Sequence, residues 1–272
     1  RRRAAPWPVV APMTHLAFEL RTSTPDSVAA DLAERVEASG YRSLWVNHPP
    51  DEDGLGHLAT MAAATTRITL GTAVVPISAV SPDAILRRID ETALPPERLR
   101  IGIGSGSGDR PLDRMADAIV YLRERTPAEI VVGALGPRMR ALGATQADGV
   151  LLGSVTPGLA RSAAEEIRKQ ATAAGRPVPG VYANVMTGVG REQLTELDGS
   201  KEFLSRLPAY AAHFNRTGVK PEQTWIAAGA LGELPGLLEP WRDTVDEVVL
   251  VPVSAVVPGP ARDLVDAAIA AF

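Results

Sequence analysis

The chain has 272 residues, 45% of them hydrophobic and 22% charged, and 28 Lys+Arg against 32 Asp+Glu leave a formal charge of −4. That balance carries no basic block of the kind that holds nucleic acid through its phosphates, and the absence of Cys excludes disulfides, thiolate metal sites and Cys nucleophiles. No apolar run approaches the ~20 residues that span a bilayer, and Arg1 to Pro12 lacks a secretory apolar core, so a cytoplasmic protein is expected.

Residues 1–12 precede the first periodic segment and are expected to be a disordered extension, with 13–272 forming one domain. Eight short apolar or β-branched runs then read as strands: His15 to Leu20, Arg42 to Asn47, Ile68 to Val75, Leu99 to Ser105, Glu129 to Leu135, Gly149 to Ser154, Val181 to Val189 and Glu247 to Val253. Between them run patterns of helical period, such as Val28, Leu32 and Val36, then Ile85, Leu86 and Ile89, then Leu112, Met115, Ile119 and Leu122. Thr24-Pro25, Ser81-Pro82, Gly136-Pro137, Thr156-Pro157 and Gly259-Pro260 each place a capping residue before a Pro suited to the first helical position. Gly40 and Gly175 suit helix C-termini. Strands alternating with helices imply a parallel sheet, and eight such units in this length predict an α/β fold, a closed (β/α)8 TIM barrel. Arg191 to Trp241 breaks into short helical pieces and predicts an irregular segment before the last strand.

Catalytic groups of such barrels sit just after the strands. Here those positions are mostly uncharged: Asn47 and His48, Ala73 to Pro76, Gly104 to Gly108, Gly136 with Arg138, Ser154 and Thr156, and Ser254. The only lysines, Lys169, Lys201 and Lys220, end no strand, which removes a Schiff-base mechanism. His15, His48, His57 and His213 form no metal-binding pair, so no metal is expected. Asp51, Glu52 and Asp53 crowd one loop instead of facing each other as glycosidase carboxylates do. A mouth of glycines and small polar groups suits a cofactor that brings its own reactivity. Gly102 to Gly108 could let a flat ring or a phosphate approach the backbone, or could be a flexible strand end. His48 is placed to exchange a proton, with an ordinary surface or structural role as the alternative. Arg138, in the first turn of a helix, could hold a cofactor phosphate or simply be solvated. His57 and His213 fall in helical patterns and read as structural, and Trp45 and Tyr41 read as packing residues.

Gly40 to His48, Ala64 to Pro76, Arg98 to Gly106, and Gly136-Pro137-Arg138-Met139 with Ala147 to Val150 together resemble the bacterial luciferase-like flavin-dependent superfamily over roughly residues 15–155. The resemblance implies a luciferase-like (β/α)8 barrel and an oxidoreductase of the deazaflavin branch, in which coenzyme F-420 carries hydride to or from a small organic substrate. An FMN-dependent monooxygenase is the alternative, and a non-catalytic flavin- or ligand-binding barrel is a third reading. Carried over, His48 matches the pocket histidine, and Ala73-Val74 matches a non-prolyl cis peptide that backs the ring. Gly104, Ser105 and Gly106 match the ring-facing strand end, Gly136 and Arg138 the polar tail, and Asn47 and Ser154 complete the cofactor set. Two positions depart from the pattern: Asn47 stands where an acidic residue is usual, and Ser107 where the dehydrogenase branch has Glu. The family's barrels often pair, so a homodimer is a further expectation.

Overall fold

A computed structural model describes residues 13–49, 51–254 and 258–272; the expected N-terminal extension, residues 1–12, lies outside them. The first half runs β1 (His15–Leu20), α1 (Asp26–Ala38), β2 (Ser43–Val46), α2 (Gly54–Ala63), β3 (Thr69–Thr72), β4 (Val75–Pro76), α3 (Pro82–Glu91), β5 (Leu99–Gly104) and α4 (Pro111–Arg123). It continues through β6 (Glu129–Ala134), α5 (Pro137–Gln146), β7 (Gly149–Gly153), α6 (Pro157–Ala173) and β8 (Gly180–Val189). After α7 (Arg191–Arg206), α8 (Pro208–Thr217), β9 (Ile226–Ala228) and α9 (Leu234–Leu238), the chain ends in β10 (Glu247–Pro252) and α10 (Pro258–Ala271).

All neighbouring strands pair in parallel, and β10 joins both β1 and β8, so β1, β2, β3, β5, β6, β7, β8 and β10 close the expected (β/α)8 barrel. The third predicted strand is split: β3 ends at Thr72, the Ala73–Val74 peptide is cis, and β4 resumes the pairing with β5. The irregular segment is α7 to α9, in which β9 adds a short strand beside the end of β8.

Ser81 and Thr156 cap α3 and α6 as expected, each side-chain oxygen accepting a backbone N–H of the first turn. Two expected starts shift. Thr24 makes no cap, because Pro25 itself takes the N-cap position and α1 begins at Asp26, whose carboxylate suits the positive end of the helix dipole. The last helix begins at Pro258, ahead of Gly259-Pro260. Gly40 ends α1 with φ of 88°: its N–H donates to Glu37 O and that of Tyr41 to Val36 O, which satisfies carbonyls the helix leaves free.

The main core lies between barrel and helices, where Leu32 and Val36 of α1, Ile85 and Ile89 of α3, and Met115, Ile119 and Leu122 of α4 pack on outward residues such as Phe18, Leu44 and Ile101. A second cluster fills the barrel: Ala17, Trp45, Val131, Leu151, Tyr182 and Val249, with Ala73 and Val74 against it. Side chains alternate along a strand, so the residues two places further on, Glu19, Asn47, Gly133, Gly153, Asn184 and Val251, face the C-terminal mouth. At the opposite end Arg100 pairs with Glu247 and Glu129, both at 2.8 Å, and its guanidinium lies 4.5 Å from the Tyr182 ring centre. Ser43 bonds Glu247 and accepts Trp45 Nε1–H at 2.6 Å, so the floor of the barrel is a closed polar plug.

Candidate active site

The mouth holds a cavity of about 540 Å³, within the few-hundred-Å³ range usual for small-molecule and cofactor sites. Of the residues singled out in the sequence, Asn47, Ala73, Val74, Gly104, Ser105, Gly106 and Ser154 line it. Leu135, the residue before Gly136, also lines it, whereas His48, Gly136 and Arg138 do not.

One wall is flat and apolar. It consists of Ala73 and Val74 with Gly104 and Gly133, and a Cβ on Gly104 would stand 2.6 Å from Val74 Cγ2, one on Gly133 3.1 Å from Val74 Cγ1. A side chain at Gly104 would force Val74 to shift and one at Gly133 would press on it, so glycine at both keeps this wall close-packed. Leu151, Met186 and Val251 add to the apolar lining.

The opposite side is polar and comes from β1 and β8. Glu19, 4% exposed, accepts a hydrogen bond from Asn184 Nδ2 at 2.5 Å. Burial pushes its carboxyl up to about 8, against the smaller lowering effects of Asn184 and Arg21. Tyr210 of α8 shares this corner; burial and then the Glu19 charge raise its hydroxyl above the ordinary range. Glu19 is not among the strand-end positions singled out from the sequence. The signal was present: it is the one charged residue between Leu16 and Leu20, two places from inward-facing Ala17.

Asn47 is held at the rim, its Oδ1 accepting Thr22 N–H at 2.8 Å. His48 is 7% exposed, and its Nδ1 has no partner among the described residues. Burial lowers its pKa, opposed by Asp53 and Glu52, so the ring is neutral at pH 7. Gly54 backs it closely, since a Cβ there would lie 2.8 Å from Nδ1.

His213, read from sequence as structural, fastens the irregular segment to the barrel. It is 1% exposed and sits between two strand-end carbonyls, Nδ1 2.9 Å from Leu135 O and Nε2 2.7 Å from Ser154 O. Arg216 donates to Leu135 O at 2.7 Å and lies 3.0 Å from Nδ1, so Nδ1 accepts from the guanidinium and Nε2–H donates to Ser154 O. These bonds hold α8 so that Tyr210 completes the cavity, with Leu204, Thr224 and Trp225 supplied by neighbouring pieces. None of these groups was identified from the sequence, because short segments without a sustained period give no basis for placing them. No group of three or more His, Asp or Glu among the described residues is arranged to hold a metal ion, and no described helix is long and apolar enough to cross a membrane.

The fold is shared with solved structures at low identity. An F-420-dependent secondary alcohol dehydrogenase, solved with an F-420–acetone adduct, aligns with a TM-score of 0.74 and 13% identity over 95% of this chain and 98% of that one. An EDTA monooxygenase from Chelativorans sp. BNC1 aligns at 0.73 and 11%, covering 95% and 93%. The coenzyme F-420-dependent tetrahydromethanopterin reductase from Methanopyrus kandleri aligns at 0.69 and 17%, covering 93% and 97%. No curated protein matches the chain. The family model described as luciferase-like monooxygenase matches residues 10–118 and 112–233. With a match of that extent on a closed barrel whose glycine-walled mouth meets a buried carboxyl, the chain belongs to the luciferase-like monooxygenase family.

Proposed function

We propose that the chain is an oxidoreductase that binds the deazaflavin coenzyme F-420 in the mouth cavity and serves hydride transfer to or from a small organic substrate. The observation that carries this reading is the small-residue wall of Val74, Gly104 and Gly133 across the cavity from a polar side where buried Glu19 is hydrogen-bonded by Asn184. When bound, the deazaflavin supplies a carbon centre that exchanges hydride and activates oxygen poorly.

The residues of the chain divide the remaining work. Ala73, Val74 and Gly104 would back the ring, with Ser105, Gly106 and Ser154 at its edges and Asn47 at the rim. The first turn of α5, with the free N–H groups after Gly136-Pro137 and the Arg138 side chain, would face the anionic tail beyond Leu135. Leu151, Met186 and Val251 would keep the lining apolar around the ring. His48, neutral and next to Asn47 in the chain, is kept as a proton-exchanging group although its buried ring stands outside the cavity lining.

FMN is the second reading, since the EDTA monooxygenase superposes as well as the alcohol dehydrogenase does. Fluorescence titration of the purified chain with coenzyme F-420 and, separately, with FMN tests the choice. Saturable binding of the deazaflavin with weaker or no FMN binding is expected. Preference for FMN would overturn the assignment in favour of oxygen-dependent chemistry, and binding of neither would favour a barrel without this cofactor.

A further inference from the structure

Glu19 is the one carboxyl lining the mouth cavity, and it lies on the side away from the glycine wall. Its two oxygens differ. Asn184 donates to Oε2 from β8, across the intervening β10, which fixes the plane of the carboxyl. No hydrogen bond from a described residue reaches Oε1, the oxygen left for whatever enters the cavity. The other titratable groups lining the cavity are Arg21, two residues on at the end of the same strand, and Tyr210 on α8; the nearby strands contribute uncharged Asn47 of the β2 end and Val251 of β10.

A carboxyl in such a place, buried and hydrogen-bonded at one oxygen only, has the geometry of a general acid–base group. We propose that Glu19 is the catalytic acid–base of this site, exchanging a proton through Oε1 with the oxygen of an alcohol or its carbonyl partner, while Asn184 acts as the positioning residue. This inference rests on the hydride-transfer reading above.

In oxidation, the substrate O–H proton passes to the Glu19 carboxylate, the C–H bond's electron pair leaves as hydride to the oxidised deazaflavin, and a C=O bond forms. In reduction, the carbonyl carbon gains hydride from the reduced deazaflavin and the carbonyl oxygen takes the proton of neutral Glu19. The carboxylate so formed recovers its proton from water.

The test uses the full chain, with Glu19→Gln and Glu19→Asp. Carbon-13 carboxyl NMR of the cofactor-free protein, assigned by the Glu19→Gln spectrum, should show one glutamate titrating near pH 8. A Glu19 resonance titrating in the ordinary carboxylate range overturns the inference whatever cofactor the chain takes. Coenzyme F-420 binding by the wild type, read by fluorescence, checks the underlying reading separately. In a third arm a panel of short secondary alcohols is supplied with the oxidised deazaflavin and loss of its absorbance is followed. The wild-type rate should rise with pH through the Glu19 titration. Glu19→Gln should lower it by about 10²–10⁴-fold and abolish that pH dependence while coenzyme affinity is retained, and Glu19→Asp should restore part of it. Equal rates in wild type and Glu19→Gln, or no alcohol oxidised by a wild type that binds the coenzyme, would overturn the proposal.

Discussion

Replacing Glu19 by Gln should change not only chemistry but the way stability depends on pH. The folded carboxyl is raised from 4.5 to about 8, chiefly by burial, so between those values the folded state holds a proton that the unfolded state releases. The contribution of this group is therefore fully present below about pH 4.5, declines as pH rises, and is lost once pH passes 8. At about 1.4 kcal/mol per unit, the whole interval corresponds to about 5 kcal/mol. Water drawn toward the ionised carboxylate makes the realised loss smaller than this figure. Glu19→Gln keeps the shape of the side chain and a carbonyl for Asn184 but cannot ionise. Urea unfolding at intervals from pH 5 to 9 should thus show the variant gaining on the wild type steadily, with the whole gain complete above pH 8. Stability curves that run parallel for the two proteins across this range would show that Glu19 is an ordinary, hydrated carboxylate and would refute the reasoning.

Arg100→Met removes the partner of buried Glu247 at the barrel floor and should cost about 3–5 kcal/mol in denaturant unfolding, because it strands a charge in the interior. Gly104→Ala places a methyl 2.6 Å from Val74 Cγ2; it should weaken coenzyme binding in the fluorescence titration and cost about 1–3 kcal/mol of stability through overpacking. His213→Leu leaves the strand-end carbonyl of Ser154 without its imidazole partner, with a loss of about 1–3 kcal/mol and faster amide exchange in α8. His48→Ala should reduce turnover while leaving coenzyme affinity largely intact. An undiminished rate in that variant would confine proton exchange to Glu19.

The barrel was legible because its signals are local. Each strand is a short apolar run bounded by turn residues, and capping at Ser81 and Thr156 marks helix starts within one residue. Where two signals competed the boundary moved, as at Thr24, where Pro25 takes the capping position itself. Part of the glycine-lined wall was also readable, since Gly104 stands at a strand end, whereas Gly133 lies inside its apolar run. The polar side was not, for reasons of distance. Glu19 and Asn184 are separated by 165 residues and meet only because β10 closes the ring between their strands. A lone carboxyl in an apolar strand is visible in the sequence, but its partner is not. The cis peptide at Ala73–Val74 came from resemblance alone; neither residue carries a local signal for it. His213 shows the converse: a helical pattern correctly identified it as structural, yet the two carbonyls it joins belong to strand ends far off in the chain.

The interior of the barrel changes character along its axis, and that gradient makes the site. Charges paired to one another close the floor, aromatic and aliphatic side chains fill the middle, and glycines at the mouth leave room where side chains would otherwise pack. A crystal structure of the chain grown with the deazaflavin coenzyme tests this arrangement most directly. The ring should lie against Ala73, Val74 and Gly104 with Glu19 Oε1 facing the space above its reactive carbon. A ring bound elsewhere, or a mouth cavity that stays free of coenzyme at saturating concentration, would contradict it.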